Sequence, residues 1–516
     1  MQGLNDGLGK KGTAMANHLY DALFGKHERN SGDFLILPDG ERISHADFAE
    51  MSAGFAAAFM AAGLRPGDRV ALQLAKSPAM LAVIAAAIRC GVVFLPLNPA
   101  YTPPEVGYFL RDAGAELVLC DDMGAEALAP VAKAAGVRLM TLSAKGRGDF
   151  ADLAKGAAPP PVADRAPSDL AALLYTSGTT GRSKGAMMSH DNLLSNARVL
   201  VDYWRFTDRD RLLHALPIFH THGLFVATNV ALLAGCPMIF LPKFDLEDII
   251  RAMPDATAMM GVPTFYTRLL GDARLTPGLV RNIRLFVSGS APLLAETHRQ
   301  WTERTGHRIL ERYGMTETNM NTSNPYDGER RAGTVGLPLP GVELKVCDGA
   351  GRELSRGETG IIEVRGPNVF QGYWNMPEKT AEELRPDGFF ITGDIGVQGD
   401  DGYVTIVGRA KDLIISGGFN VYPKEIELAL DALPGVLESA VIGVPHPDFG
   451  EAVVAVVVPQ AGAAPDPADL AAALGAGLAR FKQPKHIALR DALPRNTMGK
   501  VQKNLLRDEF KPLFGG

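Results

Sequence analysis

From Thr176 to Gly181 every residue is a hydroxyl or a glycine (Thr176, Ser177, Gly178, Thr179, Thr180, Gly181), and Lys184 follows close behind. That composition suits a loop wrapped round phosphates: glycine lets the backbone approach, hydroxyls and N–H groups donate, and lysine neutralises charge. It is not a Walker A loop, because Ser183 stands where that motif requires its second glycine. A plain Ser/Thr/Gly surface turn has the same composition. Other residues could also contribute chemistry. Thr316 and Glu317 offer a hydroxyl for phosphate and a hard oxygen suited to Mg²⁺. Asp394 offers two acceptor oxygens, and Arg409 and Lys500 are cationic donors. Taken singly, each is a common turn or a solvated side chain. His220 and His222 flank one residue and invite a zinc site, but no third ligand cluster accompanies them. On a strand, moreover, alternate side chains would point to opposite faces.

The order of these segments resembles the adenylate-forming superfamily, which includes acyl-CoA synthetases, luciferases and peptide-synthetase adenylation domains. Tyr175–Gly185 resembles its phosphate loop, Glu311–Glu317 its Tyr-Gly-x-Thr-Glu motif, Thr392–Asp394 its Thr-Gly-Asp motif, Gly408–Asp412 its hinge, and Pro494–Lys500 its C-terminal lysine motif. The likeness runs from about Asn17 to Phe510, and Lys503 departs from it where many relatives carry arginine. The resemblance implies an α/β fold: a large N-terminal domain of layered α/β subdomains with a β-rich subdomain, then a small mobile α+β C-terminal domain. It implies carboxylate attack on the α-phosphate of ATP, then thioester formation, with ATP, Mg²⁺ and coenzyme A required. Nucleotide contacts are implied for Thr176, Ser177, Gly178, Thr179, Thr180 and Lys184, and for Ser288, Gly289, Ser290, Ala291 and Pro292, which resemble the adenine-pocket segment. Glu311, Arg312, Tyr313, Gly314 and Met315 join them, as do Asp394 and Arg409 at the ribose. Thr316, Glu317 (with the metal) and Lys500 are the implied catalytic residues; His220 is counted with them and borders the acyl pocket. Lys411 is the implied hinge, and Ser416, Gly417 and Gly418 would let the pantetheine arm pass.

For the acid, the informative segment is Gly261–Leu270. Pro263 suits a helix start, after which Phe265 and Leu269 share one face and Thr264 and Arg268 another. Periodicity alone would put Arg268 in solvent. The wording of His214–Asn229, Gly261–Leu270 and Glu311–Gly328 closely resembles malonyl-CoA synthetases, which implies malonate as substrate, methylmalonate as a second one, and Arg268 as receptor of the distal carboxylate. The alternatives are a ligase for another short- or medium-chain acid and a stand-alone domain loading a separate carrier protein, since the chain ends at Gly516 with no carrier attached. Acetylation of Lys500 by a lysine acetyltransferase would remove its charge.

These residues must be held by alternating elements. Val70–Leu74, Val92–Leu97 and Glu116–Cys120 read as buried strands, with helices at Met80–Arg89 and Pro104–Ala113 between them. From about Gly333 the pattern turns strand- and glycine-rich, and after Arg409 a helix from Pro423, strands at Glu438–Val444 and Ala452–Val458 and a helix at Ala468–Ala479 suggest a smaller unit. The expected division is an extension at 1–16, a large domain at 17–410 with its β-rich part at about 333–410, and a small domain at 411–516. Met15 is a second candidate start. The 516 residues carry 52 Lys plus Arg and 58 Asp plus Glu, a net charge of −6, which argues against a nucleic-acid partner. The N-terminus lacks an apolar signal segment, and the alanine-rich run at Met80–Ile88 is too short to span a bilayer. Cys90, Cys120, Cys236 and Cys347 fit no metal or disulfide pattern and read as reduced thiols of a cytoplasmic protein.

Overall fold

The computed structural model describes residues 17–176, 183–496 and 499–515. The chain packs into two compact units: one comprises the residues up to Phe34 with Ile43–Leu174 and Met187–Leu194, the other Leu35–Arg42, Tyr175–Ala186 and everything from Ser195. The expected boundary at 410/411 is therefore not a boundary between these units. It stays a proposal about movement.

The first unit is built on a six-stranded sheet in the order Arg138–Thr141, Leu117–Cys120, Arg69–Gln73, Val93–Pro96, Leu170–Thr176, Lys184–Ser189, parallel through its first five strands. Continuous apolar runs such as Leu117–Cys120, buried at every position, belong in a sheet covered on both faces. Its helix Pro78–Cys90 has clear ends. Ser77 Oγ accepts from the Met80 N–H at 3.1 Å, Pro78 fills the first turn, and Gly91 stops it with φ 67°. The chain leaves and re-enters this unit along Leu170–Thr176 and Lys184–Ser189, so Tyr175, Thr176 and Lys184 belong to the second unit.

The second unit holds a nine-stranded sheet. Its parallel centre runs Leu310–Met315, Leu285–Ser288, Ala258–Gly261, Leu212–His214, Met238–Phe240. Trp301, Tyr266 and Phe286 meet edge to face at 4.9–6.4 Å beneath it, which seats the helix Pro263–Leu270 against the strand Leu285–Ser288. The expected β-rich part is an antiparallel sheet in the order Glu343–Cys347, Thr359–Arg365, Phe390–Gln398, Val404–Arg409. Downstream, Val436–His446 pairs antiparallel with Gly450–Pro459 and is buried on both faces. Ala440, Ile442 and Val444 join Val454, Val456 and Val458 in one cluster with Leu493 and Leu506; Val441, Val453, Ala455 and Val457 join Ile426, Leu430 and Leu470 in the other. This period of two lets one hairpin carry helices on either side, and Leu506 fixes the helix Lys503–Phe510 just beyond Lys500.

All four cysteines are free and buried. Among the described residues no helix is long and apolar enough to cross a membrane, and no group of three or more His, Cys, Asp or Glu is placed to hold a metal.

Candidate active site

The phosphate loop's two ends are in place; Ser177, Gly178, Thr179 and Thr180 lie outside the described residues. At one end Thr176 Oγ1 is 3.5 Å from Glu317 Oε1. At the other, Lys184 is buried, with Nζ 3.2 and 3.1 Å from the two carboxylate oxygens of Glu383 and 4.0 Å above the Tyr373 ring. The Tyr373 hydroxyl lies 2.6 Å from Glu383 Oε2 and 3.1 Å from Glu317 Oε1, so one tyrosine joins both acids. Sequence reasoning missed Tyr373 and Glu383. Their only signal was the proline at position 377, which starts the helix Pro377–Glu383. Burial raises the Glu383 carboxyl, yet Tyr373, Lys379 and Lys184 outweigh it and hold the group below its ordinary range. Glu317 has less help, and burial pushes it up. A divalent cation would relieve that cost. Glu317 is a buried hard-oxygen donor, which fits Mg²⁺, an ion that takes one or two protein carboxylates plus substrate phosphates.

The pair expected at the ribose is built by register. Asp394 on Phe390–Gln398 stands opposite Arg409 on Val404–Arg409. Arg409 Nε donates to Asp394 Oδ1 at 2.6 Å, and the Tyr313 hydroxyl donates to Oδ2 at 2.6 Å. Thr392 Oγ1 accepts from the Asp394 N–H at 3.0 Å, so the Thr-Gly-Asp triplet orients its own carboxylate. Tyr313 is delivered by Leu310–Met315, where a bulge falls at Tyr313/Gly314. A Cβ at position 314 would sit 1.8 Å from the Asn319 carbonyl oxygen, so only glycine closes this turn. Glu311 instead faces His298, whose Nδ1 is 3.4 Å from its Oε1. Met315 pairs with Asn319 across the same hairpin, its carbonyl accepts from the Thr318 N–H at 3.2 Å, and Thr316 falls in the turn between them.

His220 and His222 do not lie on a strand as expected. His222–Thr228 is a π-helical turn. Two clamps hold it: the Gly223 carbonyl accepts from Thr228 Oγ1 at 2.9 Å and lies 2.9 Å from His214 Nε2, and His222 Nδ1 is 3.1 Å from Ser290 Oγ. Position 223 must be glycine, since a Cβ there would come 2.1 Å from the Pro217 carbonyl oxygen. Such turns recur at functional sites because they re-aim side chains. Burial, then Arg312, then Lys500, push His220 down to about 4, so it stands as a neutral ring at neutral pH. Ser290 takes φ 71°, a left-handed turn directly after the strand Leu285–Ser288.

Lys500 ends a tight loop: its N–H donates to Asn496 Oδ1 at 3.0 Å, its carbonyl accepts from the Asn496 N–H at 3.0 Å, and Gly499 takes φ 74°. Gly499 lies against Thr264, whose side chain would be 3.3 Å from a Cβ there. Lys500 is near enough to Arg409 and Asp394 to feel both charges. Lost hydration, then Arg409 and Lys411, outweigh Asp394 and Asp412 and push the ammonium down to about 8. The side chain keeps accessible surface, so this is the effect of a crevice rather than a core. Arg268 lies one helical turn past Thr264. It is exposed, its guanidinium is 5.6 Å from the Phe244 ring centre, and it has no hydrogen bond or ion pair among the described residues.

Arg312 packs its guanidinium on the backbone of Gly289, where a Cβ would lie 2.3 Å from Cζ. Alternation on the strand turns Glu311 and Tyr313 to one face and Arg312 to the other, where His220, His222 and Tyr266 are its charge-coupled neighbours. Lys411 falls in the short turn Ala410–Asp412, and Asp412 is tied to Arg507 at 2.5 Å. Ser416, Gly417 and Gly418 form the tip of a hairpin between Ile414–Ser416 and Phe419–Val421; two successive left-handed glycines, φ 59° and 82°, make its turn. The Gly417 N–H donates to the Phe449 carbonyl at 2.9 Å, Ser416 pairs with Gly450, and the Phe419 ring stacks on Phe481 at 4.7 Å.

The AMP-binding enzyme family matches residues 24–374 and its C-terminal domain residues 425–500. The chain belongs to the AMP-binding enzyme family. ATP-bound MatB from Rhodopseudomonas palustris is 56% identical with a TM-score of 0.95, covering 97% of this chain and 100% of that one; apo MatB, at the same identity, gives 0.83. A feruloyl-CoA synthase from Amycolatopsis is 38% identical over 91% of this chain and 94% of its own. A malonate–CoA ligase from Arabidopsis thaliana is 34% identical over 87% and 79%. Within the family this chain is an adenylate-forming acyl-CoA ligase that uses ATP.

Proposed function

We propose that the chain is a malonate–CoA ligase, with methylmalonate as a second substrate. In the first step one malonate carboxylate oxygen attacks the α-phosphorus of ATP, the bond to the bridging oxygen breaks, and pyrophosphate leaves. In the second, the CoA thiol loses its proton and attacks the acyl carbon, and AMP leaves. The observation that carries the acid is the pair Arg268 and Arg312. Arg268 follows the segment Gly261–Thr264, Arg312 lies near His220 and His222, and neither guanidinium has a carboxylate partner among the described residues. A hydroxycinnamate ligase has no need of such cations, whereas a dicarboxylate must neutralise its second charge. The relatives acting on malonate support the same acid.

In this reading Lys184 leaves Glu383 for the β,γ-phosphates, Glu317 would hold Mg²⁺, and Thr316 binds the α-phosphate. Mg²⁺ supplies charge neutralisation when bound. Asp394 orients the ribose from a position already set by Arg409 and Tyr313. Lys500 stabilises charge at the α-phosphate in the first step only. The greater likeness to the ATP-bound relative and the contact of Gly499 with Thr264 support an arrangement competent for adenylation. The second step then needs rotation at Lys411 to bring Ser416, Gly417 and Gly418 to the site. Acetylation of Lys500 would block the first step alone. AMP release over a panel of malonate, methylmalonate, acetate, butyrate and ferulate, with and without CoA, tests the proposal. Malonate turnover that depends on CoA is expected. A preference for ferulate, or turnover indifferent to CoA, would overturn it.

A further inference from the structure

The loop that carries Lys500 is anchored at its base by apolar packing. Leu493 joins Ala440, Ile442 and Val444 on one face of the hairpin Val436–His446 and Gly450–Pro459, and Val501 packs against the same cluster. Between these two anchors the chain closes on itself: Arg495 and Val501 form an antiparallel bridge, and the Gln502 N–H donates to the Pro494 carbonyl at 2.8 Å. The turn at Gly499 that leads into Lys500 is held by polar contacts instead.

Arg495 reaches that turn with one arm of its guanidinium and the hairpin with the other. Its Nη1 donates to the Gly499 carbonyl at 2.5 Å, and its Nη2 pairs with Glu438 Oε2. On the other side of the same peptide, the Lys500 N–H donates to Asn496 Oδ1 at 3.0 Å. A peptide unit is planar, so pinning both its C=O and its N–H fixes the direction in which the Lys500 side chain departs. Glu438 stands on Val436–His446 where the register shifts between Val436 and Glu438, the kind of irregularity that re-aims a side chain. The Arg495 and Glu438 side chains are 29% and 22% exposed, and so accessible a pair contributes little to stability. The charges that weigh on Lys500 are those of Arg409, Asp394, Lys411 and Asp412, so Arg495 acts on it through geometry rather than through its field.

We infer that Arg495, tethered to Glu438, is the positioning residue of Lys500: it fastens the Gly499–Lys500 peptide to the hairpin, so that hairpin and loop carry the ammonium as one piece. This rests on the first-step role of Lys500 proposed above. A reacting group displaced by about 1 Å can lose on the order of 100-fold in rate. A planar fork can hold two acceptors at a fixed angle, which a lysine at position 495 could not do. Arg495, Glu438 and Lys500 all follow Lys411 in the chain, so the clamp would travel with Lys500 in a rotation at that residue and need not be remade between the two steps.

The test follows each half-reaction separately, with whichever acid the full-length enzyme turns over best. ATP–pyrophosphate exchange reads the first step, and conversion of the preformed acyl-AMP by CoA reads the second. Arg495→Met should lower kcat for the first step by about 10- to 100-fold, with KM for ATP and the rate of the second step each within about threefold of wild type. Arg495→Lys keeps the charge but spans one acceptor, and Glu438→Gln keeps the shape but loosens the tether; each should lose about 3- to 10-fold in the first step alone. In a Lys500→Ala background Arg495→Met should change nothing further, because no ammonium is left to aim. The alkaline limb of the first step, set near 8, should move to higher pH in Arg495→Met as the freed ammonium regains water. Equal losses in both half-reactions, or a further loss in the Lys500→Ala background, would make Arg495 a merely structural residue and overturn the inference. If Arg495→Met does not fold, Arg495→Lys and Glu438→Gln carry the same comparison. Loss of the first step in Lys500→Ala beside an unimpaired Arg495→Met would overturn the clamp alone. A Lys500→Ala enzyme that kept the first step would overturn the role of Lys500, and the clamp with it.

Discussion

Asp394→Ala separates two jobs that one carboxylate performs. Asp394 is 3% exposed and carries Arg409 on Oδ1 and Tyr313 on Oδ2. Removing one partner of a buried charge pair costs about 3–5 kcal/mol. The Arg409 side chain is 28% exposed, so water can reclaim part of its charge and the lower end applies. With Tyr313 also stripped of its acceptor, the expected loss is about 3 kcal/mol, since the two terms share a network and do not simply add. In thermal melts that is a drop of roughly 6 °C for a large unit. The ribose contact is a separate loss: a hydrogen bond to a charged group is worth about 1.5–3 kcal/mol, so KM for ATP should rise roughly 10- to 100-fold. Asp394→Asn keeps the shape and should recover part of the stability and little of the ATP affinity. A double-mutant cycle with Arg409→Ala should show coupling above about 1 kcal/mol. An Asp394→Ala enzyme with unaltered melting and unaltered KM for ATP would refute both halves of the argument.

Lys500→Ala should abolish adenylate formation but leave thioester formation from preformed acyl-AMP largely intact, as single-turnover assays of each half-reaction would show. Because the ammonium of the free enzyme sits near 8, kcat/KM for the first half-reaction should fall as pH rises through that value and the proton is lost; Lys500→Arg should move that limb to higher pH. Lys411→Pro, by fixing φ at the pivot, should spare adenylation and stop CoA-dependent turnover, and unchanged turnover would place the pivot elsewhere. Glu383→Gln removes the acid that Lys184 must leave, so KM for ATP should fall by roughly two- to fivefold; a rise would mean Glu383 serves the nucleotide complex instead.

Motif chemistry was legible because it is local. Thr392-Gly393-Asp394 and Gly408-Arg409 meet across one antiparallel pair, and Gly314 announces a backbone contact that excludes any side chain. Parallel strands such as Leu117–Cys120 were legible from their unbroken apolar runs, and Pro263 and Pro423 began helices where expected. Three things were not. The π-helical turn at His222 depends on clamps from His214 and Ser290, the latter 68 residues away, which no local pattern reports. Tyr373 and Glu383 reach Lys184 only through tertiary packing, Glu383 across 199 residues. The packing of Arg312 on Gly289, at the end of the neighbouring strand, likewise arises only from tertiary pairing.

The four buried cysteines bear on the company this enzyme keeps. Burial is the leading reason that Cys90, Cys120 and Cys236 are pushed up to about 12, and Cys347 is raised too. Thiolate, not thiol, attacks a disulfide. A catalyst whose co-substrate is itself a reactive thiol meets oxidised forms of that co-substrate in every cell under oxidative stress, and mixed disulfides are the usual toll. Here the protein's own sulfur is held protonated and out of reach, so the folded chain should stay unmodified while the CoA pool around it changes redox state. Its throughput would then follow the supply of reduced CoA alone.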